Sequence, residues 1–105
     1  MRKIITTTFI TLDGVMQAPG GPEEDISSGF KYGGWQYGYG DDVQDKFLGG
    51  FMSQPFELLL GRKTYGIFAS YWPKQSGPIA DPFNSTQKYI VSRSQQELAW
   101  QNSTW

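Results

Sequence analysis

Leu58-Leu59-Leu60-Gly61-Arg62-Lys63-Thr64-Tyr65 is the stretch on which the fold turns. Phe56 to Leu60 is short and nearly all apolar, and Pro55 and Gly61 bound it, which predicts a strand buried on both faces. From Arg62 to about Tyr71 the spacing turns helical, with Tyr65, Phe68 and Ala69 on one side. Trp72-Pro73 stops this helix, because a residue before proline is pushed out of the α region. At a strand–glycine–helix junction the first backbone N–H groups of the helix lack partners, and they point with the helix dipole at any anion placed there. Gly61 permits close approach, Arg62 and Lys63 add positive charge, and Thr64 adds a hydroxyl donor. Taken alone, such a tetrapeptide is more often an ordinary βα turn with solvated basic side chains.

The flanking sequence repeats the alternation. Lys3 to Leu12 is rich in Ile, Thr and Phe and predicts a first strand, broken by Asp13-Gly14. Val15 to Ser28 holds Pro19, Gly20, Gly21 and Pro22 and reads as a loop. Gly29 to Gly40 alternates glycines with aromatics, which suits either a binding loop or lid, or an aromatic plug for a small core. Asp41-Asp42 offers an N-cap, and Val43, Phe47, Leu48 and Phe51 then mark one helical face, ended by Pro55. Gly49-Gly50 weakens that helix by roughly 1 kcal/mol per glycine. Lys74 to Thr86 reads as a turn-rich connection and Lys88 to Ser92 as a strand. Ser94 to Glu97 matches a capping box for a helical turn, and Trp100 to Trp105 opens a further strand. Strands alternating with helices predict an α/β domain over residues 1–105, with a largely parallel sheet and right-handed crossovers.

Ser92-Arg93-Ser94 follows its strand as Gly61 to Thr64 follows its own. Two hydroxyls and a guanidinium suit a phosphate monoester. In an open α/β sheet, ligands bind at the carboxyl ends of the strands. Two cationic strand ends of one kind therefore point to one ligand with several phosphates. There is no Walker loop and no complete Gly-x-Gly-x-x-Gly.

Composition narrows the chemistry. The 105 residues suffice for one domain, and 4 Trp, 7 Phe and 6 Tyr offset an apolar fraction of 38%. With no Cys and no His, disulfides, thiolate nucleophiles, Ser-His-Asp triads and the usual zinc sites are excluded, and no metal is expected. A net charge of −1, with 9 scattered basic residues, argues against nucleic acid. No apolar run approaches a membrane span and the start lacks the apolar centre of a signal peptide, so a cytoplasmic location is the expectation. The Asn84 and Asn102 sequons are read as chance.

Thr11-Leu12-Asp13-Gly14, Leu58 to Tyr65, and Tyr89-Ile90-Val91-Ser92-Arg93-Ser94, each after a strand, resemble dihydrofolate reductases. They most resemble the bacterial branch related to the C-terminal reductase domain of the riboflavin-biosynthesis deaminase–reductase. Ile79 to Asn84 is similar to that branch too. The resemblance implies a dihydrofolate-reductase-like sheet with flanking helices and NADPH as cofactor. Arg62 would meet the 2′-phosphate, Thr64 the pyrophosphate, and Ser92 and Arg93 the adenosine phosphate pocket, with Gly61, Lys63 and Ser94 beside them. It implies hydride transfer to a small heterocyclic or ribosylamino-pyrimidine substrate. In the family an acid on the helix before the Gly-Arg-x-Thr strand binds the pterin, and Asp45 has similar spacing. A buried Asp45 would hold its proton more tightly and could pass it on, whereas an exposed one merely decorates the first helical turn. Asp13 is either a substrate-orienting group or, more simply, a turn residue before Gly14. Trp35 and Phe47 are the aromatic candidates for the substrate.

Family members extend further, and their later half supplies a strand between the first strand and Phe56–Leu60. The expectation is thus an N-terminal portion with an incomplete sheet, whose open edges would pair with another chain and give a homo-oligomer. A nucleotide-binding module without catalysis, or an inactive self-associating fragment, are the alternatives.

Overall fold

The computed structural model describes residues 1–95 and 97–105, in two compact units, 1–41 and 42–105. In the second unit the order is α1 (Asp42–Met52), β1 (Leu58–Gly61), α2 (Arg62–Tyr71), α3 (Ala80–Ser85), β2 (Lys88–Val91) and β3 (Ser103–Thr104). The three strands form one parallel sheet in the order β1-β2-β3. Mixed helices and a small parallel sheet match the expected incomplete α/β fold.

The register decides which side chains reach the core. Leu58, Leu60, Lys88 and Ile90 share one face, and Leu60 pairs with Ile90. On that face Leu60, Tyr65, Phe83, Ile90 and Trp100 form the core, with Met52, Phe56, Phe68 and Trp72 packed against it. Phe83 is its hub: its ring lies 5.1 Å from Trp72, 5.8 Å from Phe68 and 6.1 Å from Phe56. The other face is uncovered, with Leu59 59% and Val91 64% exposed. The expectation of a β1 strand buried on both faces is therefore corrected: an apolar run of this length does not say which faces are covered.

Several other expectations change. Residues 3–12 form no strand, and residues 1–10 are exposed throughout. Their β-favouring composition lacks what a strand needs, a hydrogen-bonded neighbour and a covered face. Within the turn-rich connection lies α3, which tolerates Pro82 because the N–H that proline lacks would be unpaired in a first turn anyway. Asp81 further accepts a hydrogen bond from the Gly77 N–H at 3.1 Å. Ser94, Gln95 and Glu97 are not helical, while Gln96 of that capping box lies outside the described residues. Instead the Ser92 hydroxyl donates to the Ser94 carbonyl at 2.8 Å and accepts from the Ser94 N–H. On α1, Val43 and Phe47, expected on its apolar face, are 76% and 68% exposed, and its end engages, through Met52 packed against the core and Phe51 stacked on Phe56.

Lys88 begins β2 on the inward face and is fully buried. Its Nζ donates to the carbonyls of Asn84, Thr86 and Gln101 at 3.2, 2.7 and 3.1 Å, and stands 4.3 Å from the Trp100 ring centroid. Burial pushes the ammonium down from 10.5 to about 8. The unfolded chain therefore holds the proton over a window in which the folded chain has released it. Lys88's contribution to stability should rise as pH climbs from about 8 to 10.5, and be smallest below 8, where both states are charged. Urea midpoints across this window should climb in the protein and not in Lys88→Met. Parallel profiles would show that another group is the source.

In the first unit two loops are tied together. The Trp35 Nε1–H donates to the Gln17 carbonyl at 2.8 Å, and the Gly34 and Gln36 N–H groups donate to Ala18 and Pro19. At Gly33 a Cβ would come within 2.6 Å of the Pro22 carbonyl oxygen, so only glycine permits this approach. Of the two readings of the glycine–aromatic loop, a core plug does not describe it. It is anchored through Trp35, yet leaves Tyr32, Tyr37 and Tyr39 mostly exposed.

Candidate functional site

Gly61 pairs with Val91 at the carboxyl ends of β1 and β2. The chain that leaves β1 as Arg62-Lys63-Thr64 and the chain that leaves β2 as Ser92-Arg93-Ser94 therefore start side by side at one edge of the sheet. In parallel strands this edge is where backbone groups run out of sheet partners and ligands find them. Sequence reasoning named both tripeptides, and the register brings their backbones together.

The β1 end is open to an anion. Gly61 is the N-cap of α2 and provides no side-chain cap, and no acid stands in the first turn. No capping side chain and no acid therefore compete with an anion at that turn, and the positive end of the helix dipole stands behind it. Arg62, Lys63 and Thr64 are all exposed. Gly61 has φ −72° and ψ 158°, which any residue adopts, and a Cβ there would meet nothing within 4 Å. The fold does not require this glycine. What it leaves is open space against the backbone, the approach a phosphate needs. At the β2 end the Ser92 hydroxyl is fixed by its two bonds to Ser94, and Arg93 and Ser94 are exposed.

The remaining candidates lie on other elements. Asp45 is exposed in the first turn of α1, beside the positive end of the helix dipole. Phe47, also on α1, is exposed. Asp13 lies in a turn of the other unit: the Gly14 N–H donates to the Thr11 carbonyl at 3.0 Å, and Gly14 has φ +90°. The Thr11 hydroxyl donates to Asp13 Oδ1 at 2.5 Å and holds the carboxyl below its usual range. Asp13 is thus a stably ionised turn residue, suited to orienting a donor and unsuited to giving a proton. Trp35, in the same unit, spends its N–H on Gln17.

Sequence reasoning passed over Lys88. The signal was present, because Lys88 alternates with the core residue Ile90 and so had to face inward. Asn84 went the same way. Its Nδ2 donates to the Trp72 carbonyl at 2.9 Å and its Oδ1 accepts from Trp100 Nε1 at 2.8 Å, so the amide of this sequon is already engaged.

No helix among the described residues is long and apolar enough to cross a membrane. No curated protein matches the chain. The family model described as the RibD C-terminal domain matches residues 2–104. That match spans both strand-end motifs, and the chain belongs to the RibD C-terminal domain family, the dihydrofolate-reductase-like reductase domain linked to riboflavin biosynthesis.

Proposed function

We propose that the chain holds the adenosine-phosphate half of NADPH at the shared carboxyl edge of β1 and β2, as part of a reductase acting on a small heterocyclic or ribosylamino-pyrimidine substrate. The observation that carries this reading is the pairing of Gly61 with Val91, which sets two cationic, hydroxyl-bearing strand ends next to each other. The donor set fits the group: a helix start without a capping side chain or acid, open space beside Gly61, two arginines and the Thr64 hydroxyl. Arg62 meets the 2′-phosphate, the α2 N–H groups with Thr64 hold the pyrophosphate, and Ser92, Arg93 and Ser94 complete the adenosine side, with Lys63 adding field. When bound, the cofactor supplies the hydride, and the protein binds and orients it. The exposed positions of Asp45 and Phe47 leave them able to meet substrate only at the surface of α1. A homo-oligomer belongs to the same proposal, because β1 and β3 each end the sheet.

Fluorescence titration tests the reading. Four tryptophans should transfer energy to a bound nicotinamide. NADPH should saturate the signal at concentrations at least about tenfold below NADH, the discrimination that one charge-assisted phosphate contact provides. Equal affinities would remove the 2′-phosphate assignment, and binding of neither would remove the cofactor.

A further inference from the structure

Two adjacent glycines of the first unit hold a carboxylate. The Gly20 and Gly21 N–H groups donate to one oxygen, Glu24 Oε2, at 2.6 and 3.1 Å. Backbone N–H groups that converge in this way are the donor set an anion takes. The backbone requires neither glycine, since neither has a positive φ. What they leave is room. A Cβ at Gly21 would meet nothing within 4 Å, and one at Gly20 would meet only the Glu24 carboxyl group, with Oε2 at 3.0 Å. A methyl group at Gly20 would thus crowd the seat in which that oxygen lies.

Other ties give the seat its shape. The Gly34 N–H donates to the Ala18 carbonyl at 2.8 Å, and the Gln36 N–H to the Pro19 carbonyl at 3.1 Å. A Cβ at Gly33 would stand 2.7 and 2.6 Å from the carbonyl oxygens of Gly21 and Pro22, so the two loops press together there. Ala18, 4% exposed, is held at φ +47°, a conformation that costs an alanine and persists because its surroundings fix it. One peptide group joins the two sides of the seat. Its carbonyl, that of Pro19, accepts from Gln36, and its N–H, that of Gly20, donates to Glu24. Accepting at one end polarises the donor at the other and strengthens its bond to an anion. Gly20 is exposed and Glu24 only half-buried, so solvent reaches the seat.

We propose that Gly20 and Gly21 form a carboxylate-binding seat which the protein closes with its own Glu24, and which a small ligand opens by putting its carboxylate in the place of Oε2. The group already seated there sets the chemistry of the ligand. Glu23 and Asp25 flank Glu24 in sequence, and their charge favours a monoanion over a doubly charged phosphate. The inference lies within the first unit and is independent of the cofactor reading.

Amide NMR of the full chain, titrated with sodium acetate at constant ionic strength, tests it. In Glu24→Ala the Gly20 and Gly21 amides should shift together with one midpoint, while the Trp35 indole N–H, bonded to the Gln17 carbonyl, stays in place. The unaltered protein should show the same shifts at acetate concentrations about tenfold higher, because its own carboxylate competes through charge-assisted bonds. Glu24→Gln, with a neutral acceptor, should fall between the two. Equal midpoints in the three proteins would overturn the proposal, as would glycine amides that ignore acetate in Glu24→Ala or in the unaltered protein. A displaced Trp35 signal in Glu24→Ala would overturn it too, since the carboxylate would then be holding the loop in shape rather than filling a seat.

Discussion

Arg62→Ala should weaken NADPH binding by roughly tenfold to a hundredfold while NADH binding changes by no more than about twofold. A guanidinium against a phosphate is a charge-assisted contact, worth about 1.5–3 kcal/mol when lost. Only the phosphorylated cofactor has the group that this contact reads. Arg62 is exposed at the first position of α2, so its removal takes little from the fold. Fluorescence titrations of the protein and the variant with both cofactors check the expectation. Equal weakening of the two cofactors would place Arg62 on the pyrophosphate or leave it a general source of field. No change in either would remove it from the site.

Phe83→Ala should have the largest effect on stability. Phe83, on α3, is 9% exposed and touches three other rings, Phe68 of α2, Trp72 just after it and Phe56 before β1. Truncating a buried phenylalanine costs about 3–5 kcal/mol, part of it from the cavity left behind. A domain holds only about 5–15 kcal/mol in total. With a urea slope of about 1–3 kcal/mol per molar, the midpoint should fall by roughly 2 M. A fall below about 0.5 M would mean that the ring cluster rearranges around the gap, and that Phe83 is not its hub.

Local patterning carried much of this architecture. A glycine between an apolar run and a 3.6-residue period gave a strand over Phe56–Leu60 and a helix from Arg62; the structure has β1 at Leu58–Gly61 and α2 starting at Arg62. Lys88 and its neighbours likewise announced β2. What failed was whatever depends on distant partners. The run 3–12 has strand composition, but composition cannot supply a neighbouring strand. Leu59 looks like core by hydropathy, but its face of the sheet has no covering layer. Lys74 to Thr86 read as a turn-rich connection, yet α3 lies within it, because a proline's meaning depends on its place in a helix and Pro82 sits in the first turn.

The site divides along the same line. The residue types at both strand ends were legible, because strand ends in α/β folds are predictable from the strands themselves. That Gly61 and Val91 stand side by side was not, since register is a property of the pair. The candidate acids were the least legible. Their spacing says nothing about burial, and the structure shows Asp13 held ionised in its turn and Asp45 exposed. Lys88 was hidden by the rule that lysines are solvated. Three carbonyls and an aromatic face make this one an exception.

Backbone amide NMR during titration with adenosine 2′,5′-bisphosphate, and in parallel with adenosine 5′-monophosphate, tests most directly that the two strand ends form one phosphate pocket. The account predicts that Gly61 to Thr64 and Ser92 to Ser94 shift together with a single midpoint, and that the bisphosphate binds at least about tenfold more tightly. Shifts confined to one strand end, or equal affinity for the two nucleotides, would contradict it.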